Sequence, residues 1–396
     1  MNQTAGAATT NKPIDAPGAI PQIELAEART HLGYLDGLRG LAALYVLLHH
    51  TWQRCDQDVA ALALPQWSHW FTRWLGWGHY GVAVFISLSG YCLMLPVSRS
   101  QDGTMRGGVR QFFIRRARRI LPPYYATLVL ALLFMTFIPS RFWAGCSNKA
   151  FDPIVLITHI FLVHNFFQQT NLRIDPPMWS VATEWQIYFL FPLLLLPIWK
   201  RFGLATLIVV AVLSGQLLRH VCEGAGPQYI GLFAFGMAGC ILSSRAQVRS
   251  LPWTLLAVSG FCAFLLAVPH EDQHSWTKIW VLDYLVGATT TLLLIALASP
   301  RPPLLLLRIL ASRNAVILGT FSYSLYLTHV LILVLIHEMM IGLSPSAHLW
   351  LVWSLGIPAC LGFAYVFHLV FERPFMPGRS RTERQAEVAA TISPAP

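Results

Sequence analysis

The chain has 396 residues, of which 55% are hydrophobic and only 12% charged. A soluble globular domain carries about twice that charged fraction, so the composition excludes a water-soluble fold and points to an integral membrane protein. The net charge of +10 comes almost wholly from arginine, because Lys12, Lys149, Lys200 and Lys278 are the only lysines. The arginines lie between apolar runs and form no separate basic domain, which makes them topology signals and argues against a nucleic-acid surface.

Residues 1–31 lack the apolar stretch of a cleavable signal peptide and read as a flexible polar arm rich in Ala, Thr and Pro. Ten apolar segments follow, near residues 35–54, 78–97, 120–138, 180–199, 203–222, 228–243, 252–269, 279–299, 318–341 and 348–371. They have the length of membrane helices and lack the short alternation of a barrel strand. The expected fold is therefore all-α, a polytopic transmembrane helix bundle over 32–375, with a flexible cytoplasmic tail at 376–396. The most basic loop carries Arg99, Arg106, Arg110, Arg115, Arg116, Arg118 and Arg119 against Asp102 alone. Placing it in the cytoplasm puts both termini inside, puts Arg201, Arg245 and Arg301 inside as well, and leaves His270, Glu271, Asp272 and His274 outside. Residues 153–168 are apolar but short and carry His159, His164 and Asn165. An eleventh span there would invert every later loop, so this segment reads as a re-entrant or interfacial helix packed against the bundle.

The seven cysteines show no C-x-x-C spacing, so neither a zinc site nor a redox motif is indicated and no metal is expected. Cys92, Cys240, Cys262 and Cys360 fall in apolar segments and read as packing residues. Cys55 and Cys146 both fall outside, in reach of a disulfide that the sequence does not establish.

Four constellations carry chemistry. Arg39 and His50 are eleven positions apart on the first segment, so at ~100° per residue they share a helix face, separated by about 16 Å of depth. An ionisable group inside a membrane marks a functional site unless a partner explains it. Arg116 and Arg119 lie one turn apart on a basic amphipathic stretch that runs into Pro122. That stretch is either a plain positive-inside anchor or a cradle for polyphosphate, whose oxygens match guanidinium forks. The stretch from Trp179 and Ser180 to Glu184 puts a carboxylate about one turn into a span, where it needs a partner, and His50 is the candidate. Finally, Gly81 to Tyr91 is a small-residue stretch suited to close helix packing, and Ser322, Tyr326 and His329 form a polar stripe, either lining a cavity or bonding helix to helix.

Five stretches in this order resemble the acyltransferase 3 family of polytopic membrane O-acyltransferases. They are R-x10-H at Arg39 and His50, the G-V-x-x-F-x-x-L-S-G element at Gly81 to Gly90, and R-x-x-R-I-x-P-x-Y from Arg116 to Tyr124. The others are W-S-x-x-x-E from Trp179 to Glu184 and S-Y-S-L-Y-L-x-H from Ser322 to His329. The departures are mild: Val181 and Ile187 around the W-S-x-x-x-E element, and Ile86, Ser87 and Tyr91 around the G-V-x-x-F-x-x-L-S-G element, replace commoner residues. No SGNH-type hydrolase domain follows Arg373, so the resemblance implies a stand-alone member.

The resemblance implies an O-acetyltransferase of the bacterial inner membrane that draws on cytoplasmic acetyl-CoA. Its acceptor would be a hydroxyl of a surface or lipid-linked glycan. His50, Arg39 and Glu184 would be catalytic, and Arg116 and Arg119 would hold the CoA phosphates. Asp36, Trp179, Ser180, Tyr326 and His329 are candidates for the substrate cavity. His50 would act as a general base or as a transient acyl carrier. Acylation of a small hydrophobic molecule such as a macrolide is the alternative acceptor chemistry, and a proton-coupled transporter is the rival from another class.

Overall fold

The computed structural model describes residues 22–55, 62, 72–100, 102–138, 151–245, 251–268 and 276–376, and every regular element among them is a helix. The first helix, α1 (Gln22–Arg54), begins ten residues before the expected arm ends. A 3-10 turn (Arg73–Tyr80) leads into α2 (Gly81–Ser98), and α3 (Gly108–Phe137) runs unbroken from the basic stretch through Pro122 and Pro123. The short α4 (Pro153–Ile160) precedes α5 (Met178–Leu190), which continues through a π turn into α6 (Leu196–Arg219). Then come α7 (Tyr229–Ser244), α8 (Trp253–Ala267), α9 (Trp276–Leu297), α10 (Leu304–Leu310), α11 (Arg313–Thr320) and α12 (Ser322–Met339). The last passage is α13 (Pro345–Leu351), a π turn (Val352–Gly356), α14 (Ile357–Phe367) and a second π turn (His368–Glu372). Cys146 and the His270–His274 loop lie outside the described residues, as do residues 1–21 and 377–396.

Each of the ten expected segments is helical. Among the described residues six helical stretches are long and apolar enough to cross a membrane, and α7 and α8 are shorter apolar helices. The stretch Met178–Arg219 has 42 residues, or about 63 Å at ~1.5 Å per residue, twice the thickness of a hydrocarbon core. It breaks at Gly203, whose φ of 86° and ψ of −179° lie in a region open to glycine alone. Leu217 on α6, Leu266 on α8 and Val366 on α14 are exposed, as expected of side chains that meet lipid.

The short α4 spans nothing, since eight residues reach about 12 Å. The bundle holds it instead. Tyr124 and Tyr125 of α3 donate to the carbonyls of His159 and Ile160, each at 2.8 Å, and Asn165 bonds Thr183 and Gln186 of α5. The rings of His159 on α4 and His164 in the following 3-10 turn stack at 3.9 Å between centroids, and burial pushes His159 down to about 4 and lowers His164 as well, so the stacked imidazoles are uncharged at neutral pH.

Where α7 crosses α2 there is no room for side chains. A Cβ on Gly90 would run into the carbonyl of Phe233, and one on Gly236 into that of Ser87. Small residues let membrane helices approach this closely, and dispersion between backbones then holds them. Gly40 and Gly319 bring α1 and α11 together in the same way. Gly236→Val is expected to destabilise the bundle by about 1–3 kcal/mol through overpacking. Gly362→Ala, which meets nothing within 4 Å, is expected to leave it unchanged. The midpoint of thermal unfolding in detergent checks both.

Candidate active site

A cavity of about 130 Å³ lies between α1, α2, α3, α5 and α12. Arg39 enters it from α1, Arg116 and Arg119 from α3, Glu184 and Ser180 from α5, and Tyr326 from α12. Six of the residues expected at the site are thus brought to one wall-lined space. Helix α3 delivers Arg116 and Arg119 together because three residues make one turn, and its unbroken run carries them from the basic stretch into the bundle.

The three guanidiniums are each held differently. Arg39 Nη1 donates to Asp36 Oδ1 at 2.7 Å, and its Nη2 reaches Cys92 Sγ at 3.7 Å. Arg116 lies over the rings of Phe112 and Tyr188, 5.9 and 5.6 Å from their centroids, a cation–π arrangement. Arg119 faces the like charges of Arg39 and Arg116 and the carboxylate of Glu372. Three cations at one apolar-walled cavity attract an anion of matching shape, and guanidinium forks favour phosphate oxygens.

Glu184 does not meet His50. Its Oε1 accepts hydrogen bonds from Ser89 Oγ, at 2.8 Å, and from the hydroxyl of Tyr188. Two hydroxyl donors satisfy the carboxylate that the sequence left in search of a partner. Ser89 and Cys92 also correct the reading of the small-residue stretch and of Cys92 as packing alone, since both line the cavity. At the far end Ser180 Oγ donates to the Pro177 carbonyl at 3.0 Å, so Tyr326 supplies the hydrogen of the 2.6 Å bond between their hydroxyls.

His50 lies just past this end and does not line the cavity. Its ring is 5.0 Å from that of His329, which is 6.0 Å from the ring of Tyr326. The polar stripe on α12 therefore leads from the cavity to His50. Trp179 turns elsewhere and packs on Tyr229, at 5.8 Å between centroids, and Asp36 acts as the half-exposed partner of Arg39. No local pattern points to Glu372, which is 1% exposed and accepts from Ser324 Oγ at 2.6 Å and His368 Nδ1 at 2.8 Å. Only the folded bundle brings the π turn His368–Glu372 against Arg119.

The acyltransferase domain family is matched over residues 32–369. The chain belongs to this family. It is 25% identical over 343 residues to the O-acetyltransferase OatA of Staphylococcus aureus (strain NCTC 8325 / PS 47), covering 80% of this chain and 53% of that protein. A putative O-acetyltransferase of Staphylococcus aureus (strain COL) is 25% identical over 377 residues, covering 86% of this chain and 56% of its own length. The chain thus spans about half the length of these curated relatives. No solved structure matches. The five motif stretches of the family converge from separate helices, four of them at the cavity wall and the R-x10-H element divided between the cavity and the histidine pair.

Glu184→Ala is expected to leave the Ser89 and Tyr188 hydroxyls without their acceptor, at a cost of about 1–3 kcal/mol. Glu184→Gln keeps an oxygen there and is expected to recover most of that loss. Thermal unfolding of the two variants in detergent, side by side, checks the assignment.

Proposed function

We propose that this chain is a membrane O-acyltransferase that moves an acetyl or other short acyl group from cytoplasmic acyl-CoA to a hydroxyl, most directly one on a surface or lipid-linked glycan. The observation that carries the reading is the convergence of Arg39, Arg116 and Arg119 on a cavity whose wall residue Tyr326 is linked to His50 through the His329 ring. The family match and the O-acetyltransferase relatives support the acyl-transfer class and the choice of acetyl.

The physical problem is that CoA is polyanionic and cannot enter hydrocarbon. Its phosphates stay at the arginines, where charge-assisted hydrogen bonds hold them. The thin pantetheine arm then carries the thioester along the cavity, past Ser89 and Glu184, to the hydroxyl pair of Ser180 and Tyr326. That end of the cavity is joined to His50 through the His329 ring, by two successive ring contacts of 6.0 and 5.0 Å. His50 takes the proton of the acceptor hydroxyl, or accepts the acyl group before passing it on. The acceptor oxygen forms the new ester bond, the C–S bond breaks, and the thiolate of CoA takes up a proton.

The positive-inside rule sets the orientation of this reading. The loop before α3, rich in arginine, lies in the cytoplasm with both termini, in a bacterial inner membrane. The donor then enters from the side where acyl-CoA is made.

The test is transfer from isotopically labelled acetyl-CoA in membranes that carry wild-type protein or His50→Ala at matched expression. Label is expected in a glycan or lipid fraction with the wild type, and a loss of about 10²–10⁴-fold with the variant. Equal labelling in both removes His50 from the mechanism, and uptake without labelling favours a transporter.

A further inference from the structure

We infer that Phe85 sets the length of the acyl chain: its ring closes one end of the cavity, so that the site takes an acetyl or propionyl group and turns longer chains away. The inference rests on the acyl-transfer reading and names the donor class within it.

The cavity has a direction, and α2 records it. Val82, Phe85, Ile86, Ser89, Cys92 and Leu93 all line it, a spacing of three or four residues that keeps one face of α2 on the cavity throughout. Leu93 and Val82 are eleven positions apart, or about 16 Å at ~1.5 Å per residue. Successive turns meet different chemistry. Cys92 Sγ faces Arg39 Nη2 at 3.7 Å, Ser89 Oγ donates to Glu184 Oε1 at 2.8 Å, and the Phe85 ring meets that of Tyr326 edge to face at 5.8 Å. A donor with its phosphates at the guanidiniums therefore presents its other end, the acyl group, to Phe85.

That end is walled by apolar side chains. Val82 of α2 and Val181 of α5 line the cavity with Phe85, beside the hydroxyls of Ser180 and Tyr326. The hydroxyls suit the thioester carbonyl, and the apolar groups suit the methyl end of the chain. Just outside Val82 the chain meets α1 directly. A Cβ on Gly81 would come within 2.7 Å of the Val46 side chain, and one on Gly78 would run into His49. At that level α1 and α2 leave no room for an acyl chain between them.

The walls do not retreat cheaply. The Tyr326 hydroxyl is tied to Ser180 Oγ at 2.6 Å, and Ser180 to the Pro177 carbonyl at 3.0 Å, which fixes the ring on which Phe85 rests. Phe85 also packs against two hydrophobic clusters of the bundle, the second of which contains the buried Ala43, Leu47 and Leu325. A longer chain has to drive the ring into these close-packed side chains, and overpacking of that kind is unfavourable. An acetyl methyl asks for no such movement. Removing the ring reverses the situation, because the space it leaves is apolar and joined to the cavity. Apolar space of this kind stays dry and admits apolar groups, so a longer chain takes the place that the ring gives up.

The experiment uses the full chain in membranes, with an acceptor fraction and labelled acetyl-, propionyl-, butyryl- or hexanoyl-CoA, for wild type, Phe85→Ala and Phe85→Leu. In the wild type kcat/KM is expected to fall about tenfold or more for each methylene beyond propionyl. Phe85→Ala is expected to raise the ratio of hexanoyl to acetyl transfer by about 10²-fold or more, since each added methylene contributes about fourfold once it is buried. Phe85→Leu keeps an apolar side chain should alanine fold poorly, and is expected to shift preference towards butyryl by about tenfold. Thermal unfolding in detergent shows which variants fold. A wild type that transfers hexanoyl as readily as acetyl overturns the assignment of Phe85. So does an unchanged ratio in a folded variant, or a loss shared equally by every chain length, as a purely structural role would give. Each of these leaves the acyl-transfer reading standing. Absence of transfer from any of the four donors by the wild type overturns that reading, and the role of Phe85 with it.

Discussion

Charge in hydrocarbon is the constraint on which this molecule is built. A guanidinium in the middle of a bilayer is costly unless protein surrounds it, and here three of them share one cavity. Asp36 offsets Arg39, aromatic faces of Phe112 and Tyr188 shelter Arg116, and the buried carboxylate of Glu372 faces Arg119. The lining itself sets these three cations against the single carboxylate of Glu184. An anionic ligand that enters completes the neutralisation, which gives the site affinity and selectivity together.

That arrangement needs five helices at one place, and the bundle reaches it by removing side chains elsewhere. Gly90 and Gly236 let α2 and α7 touch backbone to backbone, while Gly40 and Gly319 do the same for α1 and α11. The helices that carry cavity residues are braced by these contacts. Precision at the site comes from the same source, since Glu184 and Ser180 each find hydroxyl partners from other helices at 2.6–2.8 Å.

Much of this was legible from the chain alone. The eleven-residue spacing of Arg39 and His50 places them on one face, and the three-residue spacing of Arg116 and Arg119 brings both to the cavity. The brevity and histidines of 153–168 foretold a segment held by protein, which the tyrosine bonds to α4 show. What failed was long-range partnering. Glu184 pairs with Ser89 and Tyr188, because depth along a helix is readable from spacing while rotation against a neighbouring helix is not. Cys92 looked like filler for the same reason, and Glu372, 253 positions after Arg119, has no local signal at all.

The central claim is that the cavity arginines hold the phosphates of an acyl donor. The direct measurement is equilibrium binding of acetyl-CoA and of S-acetylpantetheine, which lacks the nucleotide phosphates, to the purified full chain with Arg116 and Arg119 intact or replaced by alanine. The intact protein is expected to prefer acetyl-CoA, each arginine lost to cost about tenfold or more in its affinity, and added salt to narrow the gap. Equal binding of both compounds, indifferent to the arginines, would contradict it.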